Sequence, residues 1–157
     1  MKNLKEYIKE SILGDWNDVN ADEISEKHQR TEVEDFLKEN YRGKFEISEK
    51  PNSDGKFEVF CKSGVRAAKE MVKLTNEYFI FTEVRGLFEI ADNTLITLEG
   101  APRKVGGFFN CEDNVNLTSL EGAPKEVGGD FYCEGCGTQF TEDDVKKVSK
   151  VKGTIYV

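Results

Sequence analysis

The sequence predicts an α+β fold in which N-terminal helices and a β-hairpin lead into a short β-solenoid. Three observations carry this. Residues 1 to 42 show helical spacing and contain only one glycine, Gly14. Two alternating segments flank the turn-forming run PNSDG, and near-identical stretches then recur about every 22 residues to the end of the chain. With 157 residues the chain has the length of about one domain. At 38% hydrophobic and 11% aromatic residues it is too apolar to stay unfolded. Three segments follow: a helical segment over 1–42, a hairpin and helix leading into the solenoid over 43–83, and the solenoid with a C-terminal helix and strand over 84–157.

In the first segment Leu4, Ile8 and Ile12 recur at i, i+4, i+8 with Tyr7 beside them, and Gly14 closes this amphipathic stripe. Thr31 with Glu34 reads as a capping box, after which Val33, Phe36, Leu37 and Tyr41 share one face until Gly43. A second helix is predicted there, with Asp22 to Gln29 adding a turn or two. KFEIS (44–48) and KFEVF (56–60) alternate apolar with polar residues around Pro51 to Gly55, which is a hairpin signal.

The C-terminal half repeats itself. LEGAP occurs at 98–102 and again at 120–124. The pattern Val-x-Gly-x-apolar-x-apolar appears at Val84/Gly86/Phe88/Ile90, Val105/Gly107/Phe109/Cys111, Val127/Gly129/Phe131/Cys133 and Val151/Gly153/Ile155/Val157, with spacings of 21, 22 and 24 residues. Period-2 alternation within a unit predicts a strand, and a period of 20 to 29 predicts stacked rungs. Each rung must lie on its neighbour, because one rung alone buries too little apolar surface. Leu95/Leu98 and Leu117/Leu120, with Met71/Leu74 as a degenerate forerunner, supply the opposite wall. TEDDVKKVSK (141–150) is an insertion with the signature of a capped helix.

Phe88-Glu-Ile90-Ala-Asp-Asn93-Thr-Leu95 resembles the leucine-rich-repeat core, apolar-x-apolar-x-x-Asn/Cys-x-Leu, and Phe109 to Asn114 repeats it with one extra residue before Leu117. Phe131-x-Cys133-x-x-Cys136 places Cys136 where that family takes Asn or Cys. The likeness covers 84–157, extends weakly back toward Phe57, and implies a leucine-rich-repeat-like solenoid. In that family the outward strand face is commonly the binding surface. With Val, Phe and Cys pointing in, the residues facing out are Leu87, Glu89, Phe108, Asn110, Asp130, Tyr132, Thr154 and Tyr156. Large aromatics beside carboxylates have the composition of a protein-binding hot spot.

The first ten residues, MKNLKEYIKE, resemble the capsid-targeting peptides of internal head proteins in large tailed phages. Leu4-Lys-Glu6 and Ile8-Lys-Glu10 both fit that group's apolar-x-Glu cleavage pattern, so the resemblance assigns Glu6, Ile8 and Glu10 to targeting and processing. It implies a phage accessory protein, located in the host cytoplasm or inside the phage head.

Charge and composition bound the chemistry. A net charge of -8 repels phosphate backbones and anionic lipid, which argues against direct nucleic-acid or membrane binding. No run of 18 apolar residues occurs. The sole histidine, His28, leaves little imidazole chemistry, and no nucleophile–base or paired-carboxylate set stands out, so no catalytic residue is predicted. Cys133-x-x-Cys136 is a lone CxxC, short of the four ligands zinc normally takes, and with Cys111 it fits inward strand and turn positions instead. Gly106-Gly107 and Gly128-Gly129 lack the Lys-Ser/Thr of a phosphate loop and read as packing glycines. No metal or cofactor is predicted. The expectation is a non-enzymatic module that binds a host or virion protein. The alternatives are an acidic nucleic-acid mimic that inhibits a host defence enzyme, or a Cys-based zinc protein.

Overall fold

The computed structural model describes residues 21–157. The helix expected over Leu4 to Ile12, and the candidate processing residues Glu6, Ile8 and Glu10, lie outside the described residues.

Helix α1 runs without interruption from Ala21–Asn40. It contains neither Gly nor Pro, and its first turn is acidic while Lys38 lies in the last, which complements the helix dipole. Arg30–Glu34 at 3.3 Å and Lys38–Asp35 at 3.5 Å add pairs along its surface. Thr31 is therefore not a helix start. Its hydroxyl donates back to the Lys27 carbonyl at 3.0 Å, a bond that a mid-helix threonine makes within its own helix. The Val33 and Leu37 side chains, one turn apart, are buried, and the Phe36 ring meets Phe79 at 5.6 Å.

Two six-stranded sheets follow. The first contains β1 (Tyr41–Arg42), β4 (Val65–Ala67), β6 (Phe88–Glu89), β8 (Phe109–Asn110), β10 (Phe131–Tyr132) and β12 (Ile155–Tyr156), hydrogen-bonded in that order. The second contains β2 (Phe45–Ile47), β3 (Phe57–Cys61), β5 (Phe79–Val84), β7 (Lys104–Val105), β9 (Glu126–Val127) and β11 (Lys150–Val151), also in that order. The expected hairpin is present: β2 pairs antiparallel with β3, Ile47 opposite Val59. Asn52 Oδ1 accepts from the Asp54 and Lys56 amides at 3.0 and 3.1 Å and so shapes its turn. Beyond β3 every neighbour in the second sheet is parallel, as is every pair in the first sheet after β1.

Each repeat unit therefore supplies two short strands rather than one. The chain leaves the second sheet at Val84, Val105 and Val127, bends at the following glycines, and enters the first sheet at Phe88, Phe109 and Phe131. The inward periodicity continues through the bend. The register stacks Cys61, Val84, Val105, Val127 and Val151 in one inward column, and Val65, Phe88, Phe109, Phe131 and Ile155 in the next, with only the terminal Val151 and Ile155 partly exposed. Phe88 lies parallel to Phe109 at 6.1 Å, and Phe109 meets Phe131 at 4.9 Å. This makes a β-solenoid of about five turns, one more than the four units predicted, because Cys61 to Ala67 form a first rung.

The opposite wall is as expected, with Met71, Leu74, Leu95, Leu98, Leu117 and Leu120 all buried. The stretch between β4 and β5 contains no helix, contrary to the expectation for 43–83. Met71 and Leu74 hold it as the wall of the first rung, and Tyr41 Oη ties it down by donating to the Leu74 carbonyl at 2.7 Å.

Asparagines link the rungs below the first sheet. Asn93 Oδ1 accepts from the Met71 amide at 2.7 Å. Asn114 Oδ1 accepts from Leu95 at 3.2 Å, while its Nδ2 donates to the Ile90 and Cys111 carbonyls, each at 2.9 Å. In the last wall, helix α2 (Glu142–Val148) replaces the extended segment. Thr141 caps it and Asp144 completes the capping box. The Thr141 hydroxyl, then Lys147, hold the Asp144 carboxyl down to about 2.

Candidate functional site

The first sheet turns alternate side chains outward, and register aligns them into two columns across the rungs. One column runs Arg66, Glu89, Asn110, Tyr132, Tyr156. Each residue of the second column, Leu87, Phe108, Asp130 and Thr154, precedes an inward residue of its strand by one position. The eight residues singled out from the sequence are thus brought together on one face.

Their chemistry changes along the solenoid. In the early rungs charges are paired across neighbours: Arg66 Nε donates to Glu89 Oε2 at 2.8 Å, and Lys69 lies 3.9 Å from Asp92. The Leu87 side chain fills the space above Gly64. In the late rungs aromatics take over. Phe108 meets Tyr132 edge-on at 5.9 Å, and Tyr132 stacks on Tyr156 at 4.6 Å with the rings 2° from parallel. Asp130 steadies this cluster, since Oδ2 accepts from Tyr132 Oη at 3.2 Å and Oδ1 accepts from the Thr154 amide at 2.7 Å. Asn110 and Glu112 form a reciprocal pair, with Asn110 Nδ2 donating to Glu112 Oε2 and the Glu112 amide to Asn110 Oδ1, both at 2.8 Å. The Tyr132 phenol is raised above its ordinary value, first by desolvation and then by its bond to Asp130.

Helix α1 does not pack on these columns. It closes the first-rung end of the solenoid, where Asn76 Nδ2 donates to Glu32 O and Arg30 donates to the Ile47 and Ser48 carbonyls. Tyr156 is 40% exposed, and among the described residues β12 is the edge strand of its sheet, so no further described strand covers the ring's second face. At the other end, a groove of about 610 Å³ lies between α1 and β1–β2, with Leu37, Tyr41, Phe45 and Ile47 in its lining. Arg30, at its rim, is already engaged by carbonyls and by Glu34.

The cysteines occupy the positions anticipated for them. Cys111 and Cys133 are buried inward residues. Cys136 Sγ donates to the Cys111 carbonyl at 3.3 Å, as Asn114 Nδ2 donates to Ile90 one rung earlier. Among the described residues no group of three or more His, Cys, Asp or Glu side chains is arranged to hold a metal ion. Burial pushes the Cys111 thiol well up and that of Cys133 up to about 12, whereas the interaction with the neighbouring Cys111 side chain lowers that of half-buried Cys136. Because the thiolate is the reactive form, Cys136 is expected to take up iodoacetamide before Cys111 and Cys133 at neutral pH. Peptide mass spectrometry of a time course checks this order, and first labelling at Cys133 would contradict it.

Two features went unread in the sequence. Cys61-x-Ser63-x-Val65-x-Ala67 is a unit of the repeat with Cys for Val and Ser for Gly. The acidity of the chain is also local. Residues 105–145 hold nine carboxylates and one base, Lys125, so they carry the entire net charge of -8, while the remaining 116 residues hold 21 of each sign.

No protein-family model matches the chain, and no curated protein or solved structure matches it. Among the described residues no helix is long and apolar enough to cross a membrane.

Proposed function

We propose that this chain is a non-enzymatic interaction module that binds a partner protein through the outward columns of its first sheet. The observation that supports this most is the partly exposed Phe108–Tyr132–Tyr156 cluster, held rigid by Asp130 and stacked in register on a flat face. Preordered tyrosines bury large area at little entropic cost, which is why they dominate protein-binding hot spots. Leu87, Glu89, Asn110 and Thr154 complete the face. The resemblance of Met1 to Glu10 to capsid-targeting peptides favours a phage setting, with a host or virion protein as partner. Packaging with processing at Glu6 or Glu10 requires that purified virions contain the chain shortened at its start.

The test is affinity capture from bacterial lysate at about 0.15 M salt. A partner retained by the native protein is expected to be lost about tenfold or more with Tyr132→Ala or Tyr156→Ala. Retention of every captured protein by both variants would end this reading. The concentration of charge in 105–145 favours a second one, acidic mimicry of nucleic acid. Mimicry requires capture that collapses steeply with salt and ignores both tyrosine changes.

A further inference from the structure

Resting on that reading, the geometry points to the chemistry of the partner: we infer that the late-rung face takes an extended, arginine-bearing segment of a protein.

The first argument is the imbalance of charge along one continuous surface. Rungs containing β4 and β6 neutralise their outward charges internally, through Arg66–Glu89 and Lys69–Asp92. The rungs of β8 and β10 carry Glu112, Asp113, Asp130 and Glu134, and none of these makes an ion pair with a described residue. Lys125, the one base of the stretch, belongs to the approach to the second sheet, where its amide donates to the Arg103 carbonyl. Four carboxylates without an ion pair on neighbouring rungs attract a cation, and the fields of Asp130 and Glu112 act on the Tyr132 phenol in the same direction as its desolvation and its hydrogen bond to Asp130.

The second argument is shape. Tyr132 and Tyr156 are already in contact with each other, so nothing fits between them. What remains available is the outer face of Tyr156 and the edges of the cluster. A planar guanidinium matches this arrangement better than an ammonium does, because it can lie flat on a ring while its N–H groups point sideways to carboxylates. Rungs repeat at about 4.8 Å and alternate side chains of an extended segment lie about 6.6 Å apart, so a segment running across the strands brings successive arginines within reach of acids on neighbouring rungs without a fixed one-to-one match. An extended segment laid across the strands follows this face from rung to rung.

The probe is a fluorescein-labelled peptide, Gly-Arg-Gly-Arg-Gly-Arg-Gly, compared with its Lys and Gln counterparts by fluorescence anisotropy at about 0.15 M salt. The Arg peptide is expected to bind more tightly than the Lys peptide, and the Gln peptide not at all. Tyr156→Ala and the pair Asp113→Asn/Glu134→Gln are each expected to weaken the Arg peptide at least about fivefold. The charge-matched pair Glu121→Gln/Asp143→Asn, away from the ladder, is expected to change it less than about twofold. Thermal melts by circular dichroism confirm that each variant remains folded. Equal losses in both pairs, indifference to Tyr156→Ala, or equal binding of the Gln peptide would overturn the inference. If lysate capture depends on Tyr156 while the Arg peptide does not, the cationic assignment fails and the ladder reading stands. If neither depends on Tyr156, both fail.

Discussion

Replacing Asn114 by alanine is expected to cost about 3 to 5 kcal/mol of folding stability, since each buried polar group left unpaired costs about 1 to 3 kcal/mol. The side chain is 0% exposed. Its Oδ1 is the acceptor for the Leu95 amide, and its Nδ2 serves the carbonyls of Ile90, Cys111 and Glu112. One residue thus satisfies backbone groups of two successive rungs at the corner where the chain leaves the first sheet, and water cannot replace it there. Asn114→Cys is expected to lose less, because the thiol at the equivalent position of the next rung, Cys136, still donates to the Cys111 carbonyl. Urea denaturation compares the three proteins. A loss under about 1 kcal/mol for Asn114→Ala would mean that the corner is held by something other than this ladder.

Gly128→Ala is the second large effect, expected at about 3 kcal/mol for reasons of space rather than conformation. A Cβ at this position would lie 2.2 Å from the Gly106 carbonyl oxygen and 3.0 Å from its carbon. Both are backbone atoms, so no side-chain rotation relieves the clash, and the rungs must move apart. Separation breaks the bonds from Gly128 N to Val105 O at 2.8 Å and from Gly129 N to Gly107 O at 2.9 Å. In a solenoid each rung is stabilised by its neighbours alone, so the damage concentrates at this junction. Limited proteolysis is expected to cut near it in the variant and not in the native protein. Gly55→Ala is the contrast. Its Cβ meets nothing within 4 Å, so only its φ of +73° opposes the change, a penalty of about 1 to 2 kcal/mol. If Gly55→Ala proved the more harmful, the close approach of the rungs would not be what those glycines serve.

The sequence announced this architecture where one physical signal acted alone. The hairpin was legible because Asn52 and Gly55 sit between two alternating runs, and the rungs because valine, glycine and phenylalanine return at a fixed period. Reading failed where signals competed. Thr31 and Glu34 have the letters of a cap, yet they fall within a stretch of strong helix formers that carries the helix through them. The first rung went unrecognised because Cys61 and Ser63 preserve the volume and smallness of Val and Gly without their identity. The bend that splits each unit between two sheets left no mark on the alternation, since inward positions stay in phase across it. As for the candidate face, alternation alone named its eight residues. That its early part is charge-paired and its late part aromatic and uncompensated depends on which side chains register places side by side, such as Arg66 against Glu89 and Tyr132 against Tyr156.

The most direct measurement places a photocrosslinker on the face itself. The protein is made with p-benzoylphenylalanine at Thr154, beside the tyrosine stack, and separately at Thr118, an exposed residue of the leucine wall. Each version is irradiated in lysate and its adducts are identified. A partner protein joined through position 154 and not through 118 is the result expected here. Adducts formed at 118 alone, or equally at both positions, would contradict the assignment of the tyrosine ladder as the binding surface.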